Sequence, residues 1–297
     1  MGAIGGYYGG KLAYSGQEVH FLLHSDYKYV RENGLRVDSC DGSFSLPKIN
    51  AYQSASEMPR VDVVLVGLKT TNNRLLQELL PPLLHDDTVV VLIQNGIGVE
   101  EDLEQAFPGI QLVAGLAFIC SSKTQPGVVS HQCYGHINFG NYSCKDSLRF
   151  NEIVSDFNHA GIQAGVVEYH EARWKKAVWN MPFNGMTVAL NTQTDLLLKN
   201  PSTRQLIREQ MLEVVSIARA LGVDHVDEAF VEKMIQMTDE MTPYSPSMKL
   251  DYDFRRPMEI GYLYSRPIAK AHEAGLRVPK LEMLEAELQF IESTYLI

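Results

Sequence analysis

No apolar run in this sequence reaches the roughly 20 residues of a membrane span, so no helical anchor is expected. The opening, MGAIGGYYGG, lacks the basic-then-apolar order of a secretory leader. Gly6 stands where a myristoylation signal wants Ser or Thr. Cysteine is scarce. Cys40, Cys120, Cys133 and Cys144 are the only four, and none shows the close-paired spacing of a metal site. They read as reduced thiols of a cytoplasmic protein, with no metal expected. Basic residues are outnumbered 26 to 36, a net charge of −10, which argues against a nucleic-acid partner. A small anion can still be held by a local basic group. What remains is an ordinary globular balance, 45% hydrophobic and 21% charged, in 297 residues, enough for one large or two ordinary domains.

The two halves carry different periods. Up to Glu168, short runs rich in Val, Ile and Leu alternate with helical stretches: QEVHFLL (17–23), VDVVLVG (61–67), TVVVLIQ (88–94) and QLVAGLAFI (111–119). Nearly continuous apolar runs suit parallel strands covered on both faces. Helix candidates lie at 6–15, 73–80 and 99–106, and further strands at 127–131, 135–140 and 163–168. The alternation predicts an open, doubly wound α/β sheet. Beyond residue 168 the pattern turns helical, over 170–190, 200–221, 228–241, 257–275 and 280–293, with 242–248 as a loop. The domains are therefore expected at 1–168 and 169–297.

Five glycines in the first ten residues pose a question of purpose. A dinucleotide-binding turn runs from a strand through G-x-G-x-x-G into a helix, whose N-terminus receives the pyrophosphate. Gly2-Ala3-Ile4-Gly5 supplies the last two glycines of that spacing, and the βαβ pattern that follows favours this reading over a loose glycine-rich end. The strand and first glycine are absent ahead of Met1. A short apolar strand of about 8–12 residues ending in glycine is expected upstream. The next strand ends in Leu23-His24-Ser25-Asp26, with Lys28 close by, where an acid normally takes the ribose diol or a base the extra phosphate of NADP. His24, Ser25 and Lys28 are candidates for that phosphate, although His24 also reads as an ordinary surface histidine.

In RWKKAVWNMPFNGMTVALN, Lys176, Asn180 and Asn184 fall at i, i+4 and i+8, one face of a helix among apolar neighbours. A lysine there suits an acid that protonates a carbonyl oxygen while hydride reaches carbon; the competing reading is a solvated helix lysine. Pro182 should kink the segment and could split the column in two. Asn95-Gly96 closes a buried strand at the edge where such sheets bind ligands, or is a plain Asn-Gly turn. Ser247 lies in a loop. Glu259, set among apolar residues early in a helix, wants a cation, and Lys176 is the natural one.

These stretches, with GLKTTN, PGVVSH and GLRVPKLEML, resemble the ketopantoate reductase (2-dehydropantoate 2-reductase) family across nearly the whole chain. The resemblance implies a Rossmann-type domain followed by an all-helical domain like the C-terminal one of 6-phosphogluconate dehydrogenases. It implies NADPH-dependent reduction of 2-dehydropantoate to pantoate, a step towards pantothenate and coenzyme A. On that resemblance Lys176 is the catalytic acid and Glu259 its partner carboxylate. Asn95, Asn180, Asn184 and Ser247 bind substrate. Gly2, Ala3, Ile4, Gly5, His24, Lys28, Lys69 and Asn95 meet the cofactor. The family's usual arginine for the NADP phosphate is replaced by His24, which leaves NAD open as an alternative cofactor. A homodimer is allowed. Two rivals stand beside this reading: a related reductase of another small 2-oxo acid, and a non-catalytic dinucleotide-binding sensor.

Overall fold

A computed structural model describes residues 1–296. The chain divides into two units: Met1–Gln94 with Val99–Tyr169, and Asn95–Gly98 with everything from His170 onward.

The first unit begins directly with α1 (Ala3–Tyr14), followed by β1 (His20–Leu22) and α2 (Tyr27–Asn33). Next come β2 (Leu35–Ser39), β3 (Phe44–Leu46) and β4 (Asn50–Tyr52). Then follow β5 (Val63–Val66), α3 (Leu76–Leu79), β6 (Val89–Leu92) and α4 (Val99–Ala106). The unit closes with β7 (Gln111–Gln125), β8 (Val128–Asn141), α5 (Ser147–His159) and β9 (Ala164–Val167). Seven strands form one sheet in the order β3-β2-β8-β7-β6-β5, with β9 also on β8. β5, β6 and β7 run parallel, as their unbroken valine runs predict, and β6 is buried at every residue.

Three expectations need correction. The stretches 127–131 and 135–140 are one strand, β8, which pairs antiparallel with a β7 that continues well past residue 119. Tyr134, at φ 62°, and the register shifts around Cys120 mark the irregularity that made β8 look like two pieces. An unbroken apolar run signals burial on both faces but not strand direction. The short elements between residues 27 and 52 give too few periods to be seen in the sequence. Finally, among the described residues β1 pairs only with β4, parallel, in a two-stranded sheet apart from the larger one.

The later glycines of the opening stretch serve packing. A Cβ at Gly6 would lie 2.7 Å from Val129, at Gly9 2.9 Å from Phe21, and at Gly10 3.1 Å from Leu35. They let α1 lie on a core of Tyr8, Val37, Val129, Ile137, Phe139 and Phe157.

The second unit is helical: α6 (Tyr169–Ala189), α7 (Thr194–Lys199), α8 (Pro201–Ala220) and α9 (Glu228–Asp239). After α10 (Ser247–Asp253), a π turn at Gly261–Ser265 runs into α11 (Arg266–Glu273), and α12 (Pro279–Ser293) ends the unit. Pro182 does not split α6. The helix is continuous across it because Met181 and Phe183, on either side, are fully enclosed by the core. Tyr264 also donates its hydroxyl hydrogen to the Met181 carbonyl. A Cβ at Gly185 would lie 2.6 Å from both Leu284 and the Tyr264 hydroxyl, so the helices meet at close range there.

Candidate functional site

The polar column of α6 is longer than the sequence reading allowed. Arg173 lies one turn before Lys176 on the same face, followed by Asn180 and Asn184. Arg173, Asn180 and Asn184 are all buried. A pocket opens over the column, lined by Gly96, Arg173, Lys176, Ala177, Asn180 and Leu263.

Gly96 reaches it through a backbone no side chain would favour. Its φ is 103°, and a Cβ there would lie 2.6 Å from Cβ of Tyr262. The neighbouring Ile97 N–H donates to the Tyr262 carbonyl at 3.0 Å. The Asn95–Gly98 loop therefore groups with the helical unit, seated on the π turn. The Asn-Gly pair was visible in the sequence, whereas its docking partner far along the chain was not.

Glu259 sits immediately ahead of the helix and is buried; its carbonyl accepts from the Leu263 N–H at 3.2 Å. Its charge acts on Lys176. Burial is the main influence on that ammonium and lowers its pKa; the Arg173 cation lowers it further, and Glu259 pulls the other way. The outcome is a lysine held down to about 7. The residue as a whole keeps a partial opening to solvent, through the pocket it lines. Such a group can be protonated or neutral near neutral pH, the condition for giving and regaining a proton each cycle. Lys175 faces elsewhere and pairs with Glu171.

Asn184 is engaged with the protein. Its Nδ2 donates to the Asn180 carbonyl at 2.9 Å and its Oδ1 accepts from the Met248 N–H at 3.1 Å. It thereby fastens the start of α10, where Ser247 is the first helical residue rather than a loop residue. Ser247 is partly exposed.

The expected cofactor residues, Asn95 apart, lie in the first unit. Gly2 is the extended N-cap of α1, whose first turn carries no acid. A Cβ built on Gly5 would meet nothing within 4 Å, so there is free space at the helix N-terminus, where first-turn N–H groups await an acceptor. Gly67, two residues before Lys69, approaches closely enough that its own Cβ would lie 3.0 Å from the Gly5 nitrogen. Gln94 steadies this segment, donating to the Leu68 carbonyl and to Asn73, both at 2.7 Å. His24 and Lys28 are exposed after β1 and on α2. Asp26, by contrast, is buried. Burial disfavours its charge, but bonds from Lys123 at 2.8 Å and Ser25 at 2.9 Å outweigh it and hold the carboxyl below its usual range. Ser25 and Asp26 are thus occupied with each other. The bases left at the end of the strand are His24 and Lys28, a set that fits a phosphate better than a ribose diol.

One grouping escaped the cysteine spacing. Ligand-type atoms of Cys40, Asp41 and His131 lie within 4.8 Å of one another, with the His131 ring bonded to Ser39 Oγ at 2.8 Å and the Tyr134 carbonyl at 3.1 Å. It joins the end of β2 to β8, which spacing along the chain does not reveal.

Comparison with known proteins agrees with this arrangement. Residues 1–143 match the family model described as ketopantoate reductase PanE/ApbA, and residues 168–292 match its C-terminal model. A 2-dehydropantoate 2-reductase of Nostoc sp. is 43% identical, over 98% of this chain and 93% of that protein. A crystal structure of 2-dehydropantoate 2-reductase from Geobacter metallireducens superposes with a TM-score of 0.94 at 39% identity, covering 98% of this chain and 97% of that one. D-mandelate dehydrogenase with NADH and anilino(oxo)acetate shares the fold, with a TM-score of 0.89 at 21% identity, over 100% of this chain and 97% of that one. With its two halves matched by the two halves of one family and a near full-length relative at 43% identity, the chain belongs to the ketopantoate reductase family.

Proposed function

We propose that the protein reduces 2-dehydropantoate to pantoate with NADPH, a step of pantothenate biosynthesis. The observation that carries this reading is Lys176, held down to about 7 in a pocket it shares with Asn180 and Gly96. The pocket is small and open at its mouth, and Gly96, Ala177 and Leu263 line it beside the polar column.

The first turn of α1 and Lys69 would hold the pyrophosphate side of NADPH, and His24 with Lys28 the extra phosphate. When bound, this cofactor supplies the hydride. Lys176, protonated, polarises the ketone oxygen and delivers the proton as the hydroxyl forms. Glu259 keeps the ammonium charged in a buried place and accepts a hydrogen bond from the substrate hydroxyl. Asn180 and Ser247 orient the substrate. Asn184 acts on the site by fixing the α10 end that carries Ser247.

The test is NADPH oxidation followed by absorbance with a panel of 2-oxo acids, including 2-dehydropantoate and aryl 2-oxo acids. Turnover fastest with 2-dehydropantoate supports the proposal. Faster turnover of an aryl 2-oxo acid makes the protein a related reductase, and no oxidation with any member refutes the catalytic reading.

A further inference from the structure

We propose that Cys40, Asp41 and His131 form a zinc site in the first unit, with three protein ligands and a fourth position taken by water. The site draws on none of the residues assigned to the reductase chemistry, so the two readings stand or fall separately.

The backbone brings the three ligands together. β2 pairs parallel with β8, with Ser39 opposite His131, and the Cys40 N–H donates to the His131 carbonyl at 3.1 Å. Cys40 and Asp41 therefore leave β2 beside a residue 91 positions from Cys40 along the chain. The turn that carries them is bonded within itself. Its Asp41 N–H donates to Ser39 Oγ and its Ser39 N–H to Ser43 Oγ, both at 3.1 Å. Cys40 Sγ lies 3.7 Å from Asp41 Oδ1 and 3.8 Å from His131 Nδ1, and the three ligand atoms all lie within 4.8 Å of one another. In a tetrahedral zinc centre, with bonds of about 2.0–2.3 Å, neighbouring donor atoms stand about 3.3–3.6 Å apart. The two sulfur distances are within a few tenths of an ångström of that spacing. Cys40 and Asp41 are exposed, which leaves room for the adjustment.

His131 is set as a ligand. Its Nε2 faces the Tyr134 carbonyl at 3.1 Å, and a carbonyl can only accept, so Nε2 carries the proton. The lone pair is then on Nδ1, the atom that faces Cys40. A backbone carbonyl on the far ring nitrogen is the usual device for fixing the tautomer and direction of a metal-binding histidine. The ring is buried, with Tyr7 of α1 against it at 4.4 Å between centroids. Ser39 Oγ donates to Nδ1 at 2.8 Å and gives up that lone pair by one side-chain rotation.

A thiolate, an imidazole and a carboxylate together suit zinc, whereas magnesium and calcium take oxygen donors throughout. The titratable groups facing the thiol are Asp41 on its own turn, His131 and Cys133 on β8, and Tyr7 on α1. Desolvation, then the Asp41 charge, with Cys133 adding to them, raise the Cys40 pKa and keep the thiol protonated. A divalent cation reverses that balance, because it takes the thiolate as a ligand and turns the Asp41 charge from an obstacle into a second one. Binding releases the Cys40 proton, so affinity falls as the pH falls.

The experiment titrates the full chain, reduced with a phosphine and stripped of metal by a chelator, with Co2+ and then with Zn2+. One Co2+ per chain should bring a thiolate-to-cobalt charge-transfer absorption together with the visible bands of four-coordinate cobalt. One equivalent of Zn2+ should abolish both, and excess Mg2+ should not. C40S should lose the charge-transfer absorption. D41N should keep it but bind Zn2+ about tenfold or more weakly, the scale of a lost contact at a metal site. C120S and C133S should match the parent. No charge-transfer absorption in the parent, its survival in C40S, its loss in C133S, or a D41N affinity equal to the parent's would each overturn the proposal. H131Q should also lose tight binding. Should that buried replacement not fold, the exposed positions of C40S and D41N still decide.

Discussion

Replacing Lys176 with Met keeps an unbranched chain and removes the charge, and the structure sets the size of the effect. The ammonium is held down to about 7 from 10.5, a depression of about 3.5 pH units. At 1.36 kcal/mol per unit, the unfolded chain is favoured near neutral pH by at most about 4–5 kcal/mol. The solvent opening of the pocket reduces this to roughly 2–4 kcal/mol. The sign follows from proton counts. Between pH 7 and 10.5 the unfolded lysine carries a proton that the folded one lacks, so this group makes stability rise with pH through that window. Lys176→Met lacks the dependence. It should be more stable than the parent by roughly 2–4 kcal/mol at pH 7, and the advantage should shrink as the pH is raised to 9. The chain has two tryptophans, Trp174 and Trp179, both on α6, so urea unfolding followed by their fluorescence reports on this unit. Turnover should fall about a hundredfold or more while NADPH binding holds. A variant less stable than the parent, or an advantage that does not change with pH, would show that the fold does not strip this lysine of its proton.

Other consequences concern neighbouring parts. His24→Arg places a permanent cation beside Lys28, and the preference for NADPH over NADH, measured as the ratio of specificity constants, should rise several-fold; no change would remove residue 24 from the phosphate site. Gly96→Ala puts a side chain at φ 103° and against Tyr262, a strain of about 1–3 kcal/mol. Because Gly96 lines the pocket, KM for the 2-oxo acid should rise, and a neutral result would show that the loop adjusts freely. Asn184→Ala leaves the Met248 N–H without its acceptor, and urea unfolding should register a loss of about 1–3 kcal/mol. Unchanged stability would mean that α10 is fastened by other contacts.

Much of this was legible in the sequence where a pattern repeats. α4 lies at 99–106 as expected, α12 within a residue, and the valine runs of β5 and β6 are parallel strands. The Lys176–Asn180–Asn184 register survives as one face because i+4 spacing is a property of the helix itself. What escaped depends on contacts distant in sequence. The antiparallel partner of β7 and the seat of Gly96 on Tyr262 are set by tertiary pairing, which leaves no local signal. Arg173 did leave one, since it stands one turn before Lys176. Its type hides it, because an arginine early in a helix is most often a solvated surface residue.

The uninterrupted course of α6 follows from the same physics as its chemistry. The helix buries Arg173, Asn180, Asn184 and Thr187, each costly to remove from water, and it holds a proline besides. Part of that cost is offset within the helix, since Asn184 and Thr187 donate to carbonyls of the preceding turn, at 2.9 Å and 2.7 Å. Apolar packing adds to this. Val178, Met181, Phe183 and Val188 supply it as members of one buried core with Ile207, Met211, Leu281 and Leu284. Gly185 allows α12 to approach closely enough for that packing, and Tyr264 joins the carbonyl beside Pro182 to the π turn that also seats Gly96. The proline and the column are therefore tolerated for one reason. Both lie in a helix whose neighbours fix its position, and a lysine whose proton depends on the placement of Arg173 and Glu259 requires that fixity.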